Sequence, residues 1–295
     1  MPSPDLRRLP QDLPWETPAY LLLDGISVET LPKRLYEWAG SPDFEVLYLE
    51  TPWAELSDVS PYLVRLSGPH DPALAAFVQN SQEEWGYLLF SNANQEAVLD
   101  HLRWLVCVIH PMGEKMLLRL ADPAVMHALL IQARQENDAT LFGPIEKIVA
   151  ADRIDSVWHE HQRPGPTMLS RQDRPYRLSD KQLDSLGDVA FRSTLIRLDA
   201  HMRDYFPTYQ PTLDPSQRWQ HLQALAERAY GLGFNSEYDI TLYANLFGLL
   251  GADVLDMHSD IANLVDRPSS LTPTQRIEQA ADLAYARALS AERTS

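Results

Sequence analysis

The sequence predicts an α/β N-terminal lobe, in which flanking helices cover a mixed or mostly parallel sheet, followed by an all-α C-terminal lobe. Two patterns predict this division. In the first half, short apolar runs alternate with segments of helical apolar spacing, whereas only helical spacing continues after Ser179. A stretch rich in proline and arginine separates the two patterns. We therefore predict an α/β domain over residues 1–162, a connecting segment over 163–177 and a helical domain over 178–295.

The predicted strands of the first lobe are short runs of consecutive apolar residues, which are typical of strands covered on both faces. Tyr20 opens the first run, and the turn dipeptide Asp24-Gly25 ends it. Because helices separate most of these runs, we expect the sheet to be mixed or mostly parallel. The predicted strands are residues 20–23, 46–49, 62–66, 85–90 and 115–120, with a final hairpin of 145–149 and 156–161.

The helices of the first lobe are predicted from apolar spacing and from their caps. Apolar residues recur at intervals of four, three and four from Val98 to Ile109, so this helix is expected to continue almost to Pro111. Asp122-Pro123 predicts an N-cap followed by the first residue of another helix. Further helices are predicted from Pro32 to Trp38 and after Asp71-Pro72.

Four helices are predicted in the second lobe. Ser179 and Gln182 have the spacing of a capping box, in which each side chain bonds a free backbone N–H of the first turn. That helix is expected to end before Pro207. The other three are predicted to begin at Asp214, Ser236 and Pro273.

Composition excludes several classes of function. A formal charge of −16 disfavours nucleic acids and anionic lipid surfaces, which attract basic proteins. No signal peptide is evident, and no apolar run approaches the roughly 20 residues that span a bilayer, so we expect a cytoplasmic protein without a membrane partner. The single cysteine, Cys107, lies in an apolar helical run and is expected to be a buried, inert thiol.

A search for chemistry predicts no catalytic, cofactor-binding or metal-binding residue. The chain lacks the glycine-rich phosphate loops, the nucleophile elbow and the zinc motif of common enzymes. His159 and His161 face the same side of a predicted strand, but two ligands do not make a metal site. We interpret them as part of an exposed polar strand, and we expect no enzyme and no cofactor.

Arg119 is predicted to belong to a structural ion network. It interrupts an apolar run that is predicted to be a buried strand, and a buried arginine needs a carboxylate partner. Asp24 and Asp122 are the candidate partners, and Arg103 is a candidate fourth member.

Four aromatic residues are candidate anchors for a protein partner, because large aromatic side chains dominate the energetics of many interfaces. Ordinary core packing is the alternative for each of them. The candidates are Trp38, Trp53, Trp85 and Tyr87.

Six spaced motifs resemble one known family. They are Y-L-L-L-D-G from Tyr20, P-Y-L-V-R-L from Pro61, E-W-G-Y-L-L-F-S from Glu84, H-L-R from His101, L-L-R-L-A-D-P from Leu117 and F-G-P from Phe142. In this order, over about residues 18–150, the series resembles the adaptor chaperones of bacterial type VI secretion. Leu120 and Ala121 depart from the usual aromatic residues of the family at these positions.

The resemblance implies a non-enzymatic protein that binds a toxin effector. It also implies that the protein loads this effector onto the spike tip, which is a valine–glycine repeat protein or its cap. Two alternatives remain open. An immunity-type protein would bind and block a toxin directly, and a hydrolase would need a noncontiguous site built from scattered acidic and histidine residues.

Overall fold

The computed structural model describes residues 6–166 and 174–292. Residues 167–173 of the predicted connecting segment therefore lie outside the described residues. By internal contacts the chain forms two compact units, Met1–Val189 and Ala190–Ser295. The predicted domain boundaries at 162 and 178 stay predictions. Tyr176, near the end of that segment, packs against the core of the first unit, and Leu178, which follows the segment, belongs to this core.

An antiparallel sheet with flanking helices forms the first unit, and an all-helical region follows, which confirms the predicted order of a sheet-containing lobe and an all-α lobe. The main sheet has six strands in the order β2-β3-β1-β4-β7-β8. A separate two-stranded sheet joins β5 and β6. The strands are β1 Ala19–Leu23, β2 Asp43–Val46, β3 Tyr62–Arg65, β4 Gly86–Phe90, β5 Cys107–Ile109, β6 Lys115–Leu117, β7 Lys147–Asp152 and β8 Val157–Gln162.

The expectation of a mixed or mostly parallel sheet is wrong, because every strand pair of the main sheet is antiparallel. The central strands β1 and β4 are buried at every position, and this burial explains the error. An antiparallel strand that is covered on both faces is a continuous apolar run, and such a run has the same sequence signature as a parallel strand.

Each face of the sheet packs against its own pair of helices. On one face, Tyr20 and Leu22 of β1 join a core with α3 Gln95–Val106 and α4 Pro123–Gln135. On the other face, Leu21 and Leu23 join a core with α1 Leu31–Ala39 and α2 Pro72–Gln79. Short 3₁₀ helices span Ala54–Val59 and Ser81–Glu83.

Side chains cap the helices α2, α3 and α4 of this unit. Asp71 accepts a hydrogen bond from Ala73 N and starts α2. Asn94 accepts one from Ala97 N and starts α3. Asp122 starts α4 in the same way, with Pro123 in the first turn. Proline fits there because the first N–H groups of a helix have no intrahelical partner.

Several predicted elements have different bounds, among them the strand expected at 115–120, which is Lys115–Leu117. The helix that was expected to reach Ile109 ends at Val106, and residues 107–109 form β5, which pairs with β6 across the turn at Pro111 and Gly113. The three apolar residues 107–109 are compatible both with the helical period of 3.6 residues and with the strand period of two. Cys107 is consequently half-buried in a strand and not inside a helix. The strand expected at 46–49 is Asp43–Val46, followed by a turn.

Within the described residues 180–292, six helices form the C-terminal part. They are α5 Asp180–Tyr205, α6 Pro215–Gly231, α7 Glu237–Leu250, α8 Val254–Met257, α9 Ser259–Asp266 and α10 Pro273–Glu292. The four predicted starts are present, whereas α8 and α9 are additional short helices. The predicted capping box of α5 is formed, because Ser179 N bonds Gln182 Oε1 and Gln182 N bonds Ser179 Oγ.

Arg276 organises the core of the helical unit. Its buried guanidinium donates four hydrogen bonds to backbone carbonyls near the ends of α6 and α9, and it stacks over the ring of Phe234. The negative ends of helix dipoles stabilise a cation at such a position. Arg276 therefore satisfies helix ends that would otherwise be buried without partners.

Candidate functional site

Arg119 joins the turn after β1 to the start of α4. Its Nη2 lies 2.6 Å from Asp24 Oδ2, its Nε lies 3.1 Å from the same oxygen, and its Nη1 lies 3.6 Å from Asp122 Oδ2. Burial lowers the pKa of Arg119, but the two carboxylates outweigh burial and raise it. Burial raises the pKa of Asp122, and Arg119 partly offsets this effect.

The predicted network is therefore present as ion pairs between Arg119 and the two aspartates, but Arg103 lies elsewhere. Arg103 Nε donates to Leu47 O, and its Nη1 lies 3.0 Å from Glu50 Oε2. Arg119 is also outside the buried strand where it was expected, because it follows β6 and its side chain is 39% exposed.

Other motif residues also form contacts inside the first unit. The buried His101 ring bonds Leu141 O through Nε2 at 3.0 Å, and burial lowers its pKa to about 4. Gly143 has a φ of +51°, and a Cβ on it would lie 2.4 Å from the His101 ring. A Cβ on Gly25 would lie 2.2 Å from Ser60 O. These motif residues therefore contact other parts of the first unit and stabilise its fold.

The four aromatic candidates differ in burial. Tyr87 is fully buried and donates a hydrogen bond to Leu120 O, and Trp85 is buried as well. A partner cannot touch them without unfolding, so their assignment as surface anchors is corrected to core packing. Trp38 is half-buried and stacks on Trp85 with ring centroids 5.7 Å apart. Trp53 is half-buried against the core and keeps an accessible edge.

A groove of about 490 Å³ lies beside the edge strand β2. The turn after β2 and the part of α3 from Gln95 to Arg103 form its other walls. Its floor includes the buried Leu99, and its rim includes the exposed Leu49. Four carboxylates and one cation line it: Glu45, Glu50, Glu96, Asp100 and Arg103. The groove therefore combines an apolar surface with negative charge, an arrangement suited to a basic segment with an apolar side chain.

Three histidines meet at the opposite edge of the sheet. His127 of α4 stacks on His159 with ring centroids 3.7 Å apart, and its Nδ1 lies 2.9 Å from His161 Nε2. Burial, together with His127 and His159, lowers the pKa of His161 to about 4. His161 is thus buried rather than part of an exposed polar strand, because α4 covers this end of β8.

The described ranges contain no group of three or more His, Cys, Asp or Glu side chains arranged to hold a metal ion. Among residues 6–166 and 174–292, none of the helices combines the length and apolar character that crossing a bilayer requires.

Sequence reasoning missed the groove, because its walls come from segments about fifty residues apart in the chain. One signal was readable. Glu96 and Asp100 are four residues apart and therefore lie on one helix face. Leu99 is adjacent on that face. Glu96, Leu99 and Asp100 together predict an acidic surface beside an apolar residue.

Comparison with known proteins yields two matches. Residues 19–138 match the model of a family described as a domain of unknown function (DUF4123). The chain is also 33% identical over 276 residues to accessory protein VasW of Vibrio cholerae, with 90% of this chain and 87% of that relative covered. No solved structure shows a significant match to the chain.

Proposed function

The chain belongs to the DUF4123 family of type VI secretion accessory proteins, and we propose that it is a non-enzymatic adaptor chaperone. In this proposal the protein binds a toxin effector in the cytoplasm and brings it to the spike tip of the apparatus, formed by a valine–glycine repeat protein or its cap.

The similarity to accessory protein VasW carries the proposal. It extends over 90% of the chain, so it includes both the α/β unit and most of the helical unit. Similarity over both units favours a common function of the two whole proteins over homology of a single domain.

The roles of the motif residues support binding rather than catalysis. Arg119 pairs with Asp24 and with Asp122, and His101 packs against Gly143. An enzyme of the alternative class would direct such polar groups into a pocket with an accessible reacting centre. Here they fix the scaffold, while the acidic groove remains open.

The experiment is affinity purification of tagged full-length protein from a host that carries the secretion system, followed by mass spectrometry. We expect one toxin and one spike-tip protein to be recovered together, with the toxin still active after it is released from the complex. A matched purification from a strain without the spike-tip gene is expected to retain the toxin.

Two outcomes would contradict the adaptor. Recovery of a toxin alone, with its activity abolished in proportion to the amount of bound protein, would instead support an immunity-type function. Recovery of neither toxin nor spike-tip protein would remove the proposal. Turnover of a substrate by the purified protein, lost on substitution of acidic or histidine residues, would favour the hydrolase.

A further inference from the structure

The groove beside β2 contains charge that the protein does not neutralise internally. Glu45, Glu96 and Asp100 are exposed, and none of them has an ion-pair partner among the described residues. Glu50 is the exception, because it pairs with Arg103. The groove therefore carries a net negative charge that a basic ligand would neutralise.

Apolar surface accompanies this charge. Leu49 at the rim is 45% exposed, and Leu99 closes the floor. Covering a leucine at the rim of a groove favours association, because its apolar area is removed from water. The site thus fits a ligand that presents an apolar side chain together with its positive charge.

The adjacent strand adds a backbone contribution. Among the described strands, β2 ends the order of the main sheet on this side, so one row of its backbone N–H and C=O groups is not paired within the sheet. Extended segments bind such edges by adding a strand, and their alternate side chains then enter neighbouring pockets.

We propose that this groove docks an extended basic segment of the effector, in which a bulky apolar side chain is flanked by lysines or arginines. The inference rests on the proposed adaptor function and specifies the chemistry of the partner. The formal charge of −16 argues against other occupants. A second copy of this chain or a nucleic acid would bring further negative charge to the same carboxylates.

The test measures binding of a fluorescently labelled synthetic peptide of alternating lysine and leucine to the full-length protein by anisotropy. The groove variant combines Glu45→Lys with Glu96→Lys. The matched control combines Glu83→Lys with Asp155→Lys. The control carboxylates are also exposed, and their replacement changes the net charge by the same amount. Asp155 follows β7, which lies toward the opposite edge of the sheet.

We expect the groove variant to weaken peptide binding at least about tenfold, and the control by less than about twofold. Replacement of the peptide leucines by serine is expected to weaken binding to wild type to a similar degree. Equal weakening by the two charge-reversal variants would overturn the proposal, because it would trace binding to net charge alone.

If the lysine variant fails to fold, the double variant Glu45→Gln with Glu96→Gln tests the docking proposal instead. It is expected to melt like wild type and to weaken binding about threefold, and unchanged binding would overturn the proposal. Failure of the two proposals is distinguishable. If affinity purification from the host recovers the toxin equally with wild type and with the folded groove variant, the docking proposal is refuted and the adaptor proposal stands. Recovery of no toxin with wild type refutes the adaptor.

Discussion

Removing the Arg119 guanidinium is the most informative perturbation of the scaffold. The substitution Arg119→Ala leaves Asp24, whose side chain is only 3% exposed, without its cation. Breaking a buried ion pair costs about 3–5 kcal/mol. Arg119 is partly exposed, and Asp24 keeps hydrogen bonds from Ile26 N and Ser27 Oγ, so solvent screening and these donors reduce the loss. We expect the free energy of unfolding of the first unit to fall by about 2 kcal/mol.

The assay is urea unfolding followed by tryptophan fluorescence. Six of the seven tryptophans precede residue 190, so the signal reports mainly the first unit. Lys33→Ala is the control, because Lys33 and Glu37 form an ion pair whose side chains are 75% and 57% exposed. Such a pair is worth about 0.3–0.5 kcal/mol. If Arg119→Ala unfolds within about 0.5 kcal/mol of wild type, the ion network does not stabilise the fold and the reasoning is refuted.

Three further predictions concern buried groups. Gly143→Ala should destabilise the first unit by about 2–4 kcal/mol in urea, because it combines a positive φ with a clash against His101. Gly40→Ala, which also has a positive φ but open space around it, should cost about 1–2 kcal/mol. His101 and His161 are neutral in the fold with pKa values of about 4, so the unfolded chain binds more protons as pH falls below about 6.5. Each should cost roughly 2 kcal/mol of stability between pH 7 and pH 5, a loss that His101→Asn should reduce; a flat profile would contradict this. Arg276→Met should destabilise the helical unit by about 3–5 kcal/mol in calorimetry, since four carbonyls lose their donor; an unchanged transition would contradict that role.

The sequence predicted most where a local physical rule applies. Asp71 and Asp122 were readable as helix starts because their side chains accept the free N–H groups of a first turn. The pairing of Arg119 with Asp24 was readable because a charge inside an apolar run needs a partner.

Strand direction and the groove depend on packing between distant segments. The runs at β1 and β4 are apolar at every position, so no alternation indicated which way neighbouring strands run. Trp85 was a candidate anchor for a partner, yet in the folded protein it is buried and stacks on Trp38. Glu45 and Glu96 line one groove only because β2 and α3 meet there.

The measurement that tests the central claim most directly is secretion by a strain in which the gene for this protein is deleted. The adaptor account predicts that one toxin disappears from the culture medium but persists in the cells, while other cargo of the same apparatus is still released. The full-length gene should restore export, and the matched variant Glu83→Lys with Asp155→Lys should restore it equally. Unchanged export of every toxin in the deletion strain would contradict the account.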